Sequence, residues 1–169
     1  RLPLRLSRQG QDVAENPRGV TSRRVRGPAG SGKSLALALR AINLASQGKR
    51  VLIVTYNITL SHYLRDLCSR AARERGVQNW KQSISFVHFH ELLRELWIQR
   101  SRPRIDGDEW DEGVIQYIAN QYQRPGHDLP IYDAILVDEG QDFELEWWRF
   151  IREHLLESSG EMILVADRT

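Results

Sequence analysis

The chain has 169 residues, of which 41% are hydrophobic and 27% are charged, a composition that is typical of globular proteins and excludes disordered and collagen-like ones. No apolar run approaches the roughly 18 residues that a membrane span needs, so a transmembrane protein is not expected. Lysine and arginine together number 24 against 22 for aspartate and glutamate, a net charge of +2, which argues only weakly for a polyanionic partner.

Short strand-like runs alternate with helical stretches along the chain. The runs lie at 24–26, 51–55, 135–137 and 162–166, with a weaker candidate at 84–87. The runs at 51–55, 135–137 and 162–166 are apolar throughout, which is typical of strands that are buried on both faces. The alternation therefore predicts an α/β fold in which a parallel sheet carries helices on both faces.

Leucines and other apolar residues recur at helical spacing after Ser34, Asn57 and His88, and a further helix is expected around Phe143 to Ile151. These apolar side chains, and the single cysteine Cys68, are expected to form the core. The segment 101–130 is rich in proline, glycine and acidic residues and predicts a short surface insertion around one helix at 114–122. We therefore expect one domain over 1–169.

The phosphate-binding pattern GxxxxGK[S/T] occurs between the first strand and the first leucine-rich helix, as GPAGSGKS. Glycines allow the backbone N–H groups to turn toward a triphosphate, and the helix that follows presents its positive end to the same anion. The alternative is a glycine-rich turn with a chance lysine. Lys33 is the candidate for the β and γ phosphates and Ser34 for Mg²⁺. The candidate nucleotide-binding residues are Gly27, Pro28, Ala29, Gly30, Ser31, Gly32, Lys33 and Ser34.

Two acidic residues, Asp138 and Glu139, follow the apolar run 135–137 directly. Ligands of open parallel sheets bind beyond the carboxyl ends of the strands, where both motifs are expected. Asp138 is therefore a candidate for holding Mg²⁺, and Glu139 for orienting and deprotonating an attacking water. Alternatively, these acids complement a helix N-terminus, although Asp142 suits that role better.

The string DAILVDEGQDF at 133–143 resembles the second motif of superfamily 1 helicases of the UvrD/Rep branch, with Gly140 in place of the usual alanine. The resemblance implies a RecA-like P-loop NTPase fold with ATP and Mg²⁺ as cofactors. It implies catalytic roles for Lys33, Asp138 and Glu139. It also implies that Gln141 contacts the nucleotide and couples it to nucleic acid.

Two segments resemble motifs of this family that contact the base and the DNA. Gln11 precedes Gly27 at a spacing similar to that of the Q motif, in which a glutamine amide reads adenine; Gln9 is the alternative. The segment 50–64 is similar to motif Ia, which implies nucleic-acid contacts from Thr55, Tyr56 and Asn57. Asn57 alternatively caps the helix that follows it.

Two further segments resemble later motifs. The segment 84–93 is similar to motif Ib, in which Phe89 and His90 match the family and imply nucleic-acid contacts, whereas His88 replaces a threonine. The segment 162–169 is similar to the start of motif III, where Asp167 matches and implies a coupling role, whereas Ala166 replaces a glycine.

The resemblance implies an ATP-driven motor that translocates on single-stranded DNA and unwinds duplexes, with RNA as a possible substrate. Its partner in a longer chain is a second RecA-like domain that supplies arginines to the γ-phosphate. The chain alone is thus expected to bind ATP·Mg²⁺ but to hydrolyse it very slowly. The alternatives are a P-loop phosphotransferase for a small molecule and a nucleotide-gated module that binds nucleic acid without motor activity.

The ends of the chain and its cysteine content lead to two more expectations. The sequence begins at Arg1 and ends at Thr169 directly after an apolar run, which indicates part of a longer protein. A single cysteine and the lack of a leader pattern predict a cytoplasmic location.

Overall fold

The computed structural model describes residues 5–27, 32–56, 58–89, 91, 131–138 and 145–167. The helices are α1 (Arg8–Glu15), α2 (Lys33–Ser46), α3 (Ile58–Arg75), α4 (Trp80–Ser83) and α5 (Leu145–His154). The strands are β1 (Ser22–Gly27), β2 (Val51–Thr55), β3 (Ile84–His88), β4 (Tyr132–Val137) and β5 (Leu156–Asp167).

The strands form one sheet in the order β1-β5-β4-β2-β3, and every neighbouring pair is parallel. All four predicted runs are strands, and the weaker candidate at 84–87 is confirmed as β3. The last strand begins earlier than predicted, at Leu156. Strand β5 follows the acidic motif in the sequence. In the sheet it lies between β1, which leads into the phosphate loop, and β4, which leads into the acidic motif.

The core lies on both faces of the sheet, because residues alternate between the faces along each central strand. Val51 and Ile53 of β2 face the helices α1, α2 and α3, whereas Leu52 and Val54 face α5. The predicted α/β fold class, a parallel sheet with helices on both faces, is confirmed.

Helix α1 was not expected from the periodicity of the sequence. It begins after Ser7, whose Oγ accepts a hydrogen bond from the Gly10 N–H at 3.1 Å, as an N-cap does. It ends at Asn16, a residue in the left-handed conformation with φ 45°. The Asn16 side chain exchanges two hydrogen bonds of 2.9 Å with the backbone of Val20, so the turn into β1 is held in place.

A register shift in β5 requires a glycine. Tyr132 pairs with Leu156 and Ala134 pairs with Glu161, so residues 157–160 are accommodated opposite a single residue, Asp133. A Cβ on Gly160 would lie 2.8 Å from the carbonyl oxygen of Asp133, a distance that no side chain tolerates against backbone. The shift brings Glu161 back into register at the start of the buried part of β5.

The thiol of Cys68 is fully buried, and its Sγ lies 4.0 Å from the carbonyl oxygen of Ala38. Burial raises the pKa of this thiol from 9.0 to about 12. We therefore expect the native chain to resist thiol reagents at pH 8 and the urea-unfolded chain to react at once, because the thiolate is the nucleophile. Spectrophotometric labelling with an aromatic disulfide measures both rates, and fast labelling of the native chain would contradict the burial.

The same pKa shift sets the sign of a pH effect on stability. Since the pKa of Cys68 is higher in the folded state, the folded chain favours the neutral thiol. Its contribution to stability is complete below about pH 9 and is lost as the pH rises towards 12.

No helix among the described residues is long and apolar enough to cross a membrane. The predicted insertion at 101–130, with its helix at 114–122, lies outside those residues, as does most of the helix expected after His88.

Candidate functional site

The two predicted motifs meet at the carboxyl edge of the sheet. β1 ends at Gly27, where the phosphate loop begins, and β4 ends at Val137, directly before Asp138. The single strand β5 separates them, with Asp167 paired opposite Gly27. This edge is where open parallel sheets bind their ligands.

A hydrogen bond joins the motifs directly. The Ser34 Oγ donates to Oδ2 of Asp138 at 2.8 Å, across 104 positions of sequence. Asp138 is only 3% exposed, and its backbone N–H donates to the carbonyl of Val54 at 3.0 Å. The carboxylate is thus held by the end of β2 as well as by its own strand.

Lys33 and Ser34 open helix α2. Gly32 precedes them in the left-handed conformation, with φ 85°, which glycine adopts without steric cost. The first turn of α2 contains no acidic residue, so the positive end of the helix is available to an anion. The Lys33 Nζ donates to the carbonyl oxygen of Gly27 at 2.9 Å, which places the ammonium group across the loop.

The residues at this edge fit Mg²⁺. The Ser34 hydroxyl and the Asp138 carboxylate are hard oxygen ligands within hydrogen-bond distance of each other. Mg²⁺ keeps several waters and is bound through one or two protein oxygens plus substrate phosphates. Within the described ranges no group of three or more histidine, cysteine or acidic side chains could hold a metal. The two oxygen ligands, the Ser34 hydroxyl and the Asp138 carboxylate, suit a metal that arrives with its phosphates.

The structure places Gln9, rather than Gln11, beside the phosphate loop. Gln9 lines a cavity together with Gly27, Gly32 and Lys33. Gln11 is exposed on α1 and does not line it. Both side chains are exposed, and spacing along the chain does not specify which of them meets a nucleotide, so the preference for Gln11 stays a prediction.

Two residues that are predicted to contact nucleic acid are buried. Thr55 and Phe89 are 0% exposed, so neither side chain faces solvent, and their contacts with nucleic acid stay predictions. The Phe89 ring packs against Tyr56 with centroids 5.7 Å apart, inside the core beneath α5. Tyr56 is half-buried, and its carbonyl oxygen hydrogen-bonds to Nε2 of His88.

Several predicted residues lie outside the described parts of the chain. They are Pro28, Ala29, Gly30, Ser31, Asn57, His90, Glu139 and Gln141. Asp167 ends β5 by its backbone, opposite Gly27, and its predicted coupling role stays a prediction.

A buried ion pair behind the site was missed from the sequence. The Arg40 guanidinium, on α2, donates two hydrogen bonds to the Glu161 carboxylate on β5, at 3.0 and 2.5 Å. The two residues are 7% and 9% exposed. The available signal was a single arginine within the apolar stretch 35–45, since a charge there requires a buried partner.

A larger cavity of about 580 Å³ lies elsewhere, at the edge of the sheet between α3, α4 and β3. Its lining includes the rings of Trp80 and Phe86 and the cations Arg65 and Lys81. It contains no residue of the phosphate loop or of the acidic motif. The volume of a cavity is therefore not what points to the candidate site. The candidate site is indicated by the side chains of Lys33, Ser34 and Asp138, which lie close together.

Lys33, Ser34 and Asp138 of the two predicted motifs lie together at the carboxyl edge of the sheet. No protein-family model and no curated protein matches the chain. Among solved structures, the chain is similar to a KaiC-like protein of the hyperthermophilic archaeon Pyrococcus horikoshii OT3, with 19% identity and a TM-score of 0.42. The match covers 88% of this chain and 61% of that one, so the chain spans less than two thirds of the similar structure.

Proposed function

We propose that this chain is the first motor domain of a UvrD/Rep-like helicase, which couples ATP hydrolysis to translocation on single-stranded DNA and to duplex unwinding. The observation that carries the ATP part of the proposal is the 2.8 Å hydrogen bond between Ser34 and Asp138. It joins the two motifs that a P-loop NTPase needs on either side of one metal ion.

The roles of the side chains follow from their positions. The Lys33 ammonium group lies across the loop, where it would meet the β and γ phosphates. Ser34 and Asp138 would hold Mg²⁺, which when bound neutralises charge on the phosphate oxygens. Glu139, the residue after Asp138, is assigned to the attacking water by the family resemblance.

The nucleic-acid part of the proposal has separate support. β2 and β3 are parallel neighbours and end beside each other, at Thr55 and His88, on the edge where the phosphate loop lies. Tyr56 follows β2 there and is half-buried, and the family resemblance assigns it a contact with nucleic acid. Contacts of this class are dominated by phosphate charge and fall with salt.

The ATPase rate of the complete protein tests the proposal, with and without a single-stranded oligonucleotide. We expect the oligonucleotide to raise the rate, and Lys33→Ala to lower the stimulated rate by about 100-fold or more, since it removes a charge aimed at the transferred phosphoryl group. The control is Lys49→Ala, at an exposed lysine in the turn after α2, which should leave the rate unchanged.

Two outcomes would contradict the proposal. A rate that is indifferent to nucleic acid and falls in the Lys33 variant would favour a phosphotransferase. Binding of oligonucleotide that responds to ATP without hydrolysis would favour a gated binding module. The 169-residue chain by itself should bind ATP·Mg²⁺ and turn it over very slowly, so robust turnover by that chain would contradict the need for a second motor domain.

A further inference from the structure

Helix α1 forms one wall of the cavity beside the phosphate loop. Gln9 and Val13 of α1 line this cavity, and Gly27 and Lys33 line its opposite side. The helix has eight residues and is therefore about 12 Å long. Because so short a helix is stiff, the position of its C-terminus, at Glu15, determines where Gln9 near its N-terminus lies.

The far end of α1 is held by two side chains of α2. The Arg40 Nη1 donates to the carbonyl oxygens of Ala14 and Glu15 at 3.3 and 3.1 Å. The Asn43 Nδ2 donates to the carbonyl of Ala14 at 2.8 Å. Carbonyls at a helix C-terminus lack partners within the helix, and a cation there is favourable. Arg40 and Asn43 therefore cap α1 from a neighbouring helix, and we call these two residues the α1 clamp.

Arg40 has a fixed orientation. Its Nε and Nη2 donate to the two carboxylate oxygens of Glu161, and a planar guanidinium bound in this two-point manner has one orientation. The remaining nitrogen, Nη1, is directed to the end of α1. Glu161 belongs to β5, which pairs with both β1 and β4, so the clamp is anchored in the middle of the sheet.

The clamp and the phosphate site share one helix. Lys33 and Ser34 occupy the first turn of α2, and Arg40 and Asn43 lie further along it. From Lys33 to Arg40 the helix rises about 10 Å. Helix α2 therefore sets the distance between the phosphate end of the cavity and the wall that Gln9 contributes.

A third group, Arg23 on β1, also holds α1, both at its side and at its C-cap, Asn16. The Arg23 Nη1 on β1 donates to Oδ2 of Asp12 at 2.8 Å, and its Nη2 donates to Oδ1 of Asn16 at 3.1 Å. The hydrogen bond from Arg23 lowers the pKa of the Asp12 carboxyl below its ordinary value. Loss of one clamp residue should therefore loosen the position of α1 without releasing the helix.

We propose that Arg40 and Asn43 are positioning residues for the base of the nucleotide: by holding the end of α1, they keep Gln9 where its amide can pair with adenine. An amide offers a donor and an acceptor together, as the adenine edge requires. This inference rests on the proposed ATP site. It adds that Arg40 and Asn43 give that site its selectivity for adenine. The clamp acts on base selectivity, and the phosphate loop acts on affinity for phosphates.

Calorimetry with ATP, GTP and inorganic tripolyphosphate, each with Mg²⁺, tests this on the full chain. The clamp variants are Asn43→Ala and the double variant Arg40→Met with Glu161→Leu, in which both buried charges are removed together. The matched control is Arg73→Ala, at an exposed arginine of α3.

The unaltered chain should prefer ATP to GTP by about tenfold in Kd. Each clamp variant should lower that preference to about twofold, while the Kd for tripolyphosphate changes by less than about twofold. Gln9→Ala should cause the same loss of preference, and Arg73→Ala should cause none. A general loss of structure would weaken tripolyphosphate binding as well, so the ratio separates positioning from folding.

Three results would overturn the inference. The clamp variants could keep the full preference for ATP, they could lose tripolyphosphate and ATP in parallel, or the unaltered chain could bind ATP and GTP equally. In each case the unaltered chain still binds ATP and tripolyphosphate, so the proposed P-loop site stands. Failure of the unaltered chain to bind both ATP and tripolyphosphate would overturn the proposed function, and this inference with it.

Discussion

Replacing Asp138 by asparagine is expected to lower the oligonucleotide-stimulated ATPase rate of the complete protein by about 100- to 1,000-fold. The side chain is 3% exposed and accepts the Ser34 hydroxyl at 2.8 Å. Asparagine keeps the shape and can keep that hydrogen bond, but it removes the negative charge that would hold Mg²⁺. The loss should therefore appear as a loss of metal dependence rather than as a loss of fold.

The binding of ATP to this chain, measured with Mg²⁺ and with a chelator, tests the metal part of that prediction. The unaltered chain should bind more tightly with Mg²⁺, and Asp138→Asn should bind equally with and without it. The melting temperature without nucleotide should not fall, since a buried charge has been removed. Asp66→Asn, at an exposed aspartate of α3, is the control. An unchanged Mg²⁺ dependence in Asp138→Asn would contradict the assignment.

Replacing Glu161 by leucine is expected to lower the free energy of unfolding by about 3–5 kcal/mol, which is the usual cost of removing one partner of a buried ion pair. The reason is that Arg40, 7% exposed, would retain its charge without the carboxylate that accepts two of its hydrogen bonds. Urea unfolding, followed by circular dichroism, measures the difference.

The double variant, Glu161→Leu with Arg40→Met, should recover most of that loss, because apolar residues of similar volume replace a buried pair at little net cost. Its stability should exceed that of the single Glu161 variant. A single variant that loses less than about 1 kcal/mol, the value for an exposed pair, would contradict the burial of Glu161 and Arg40.

The strands and the phosphate loop could be predicted from local sequence because each is marked by its own residues. The apolar runs at 51–55 and 135–137 are continuous, as is typical of strands that are buried on both faces. The glycines of the loop and Lys33 occur at the spacing of a known motif. Helix α1 could not be predicted in the same way. Only Val13 and Ala14 of its eight residues are buried, so its sequence carries too short an apolar stripe to be distinguished from a loop.

The predicted contacts with nucleic acid could not take the burial of side chains into account. Thr55 and Phe89 look like ligand contacts because they lie at strand ends at the correct spacing, but both are buried, and Phe89 belongs to the core around α5. Whether a residue at the end of a strand faces solvent depends on what packs over it, and that depends on residues distant in sequence.

By itself, the sequence determined the chemistry of this protein: a glycine-rich phosphate loop, a lysine and serine at the start of a helix, and an acid at the end of an apolar strand. Tertiary structure decided which of these side chains meet. In the sheet order β1-β5-β4 the ends of β1 and β4 lie one strand apart, and Ser34 donates to Asp138 there. Gln9 of α1 lines the cavity beside Lys33. The physical reason is that local patterns report backbone preference and burial, whereas the order of strands and the docking of a helix depend on contacts between distant residues, such as Arg40 with Glu161.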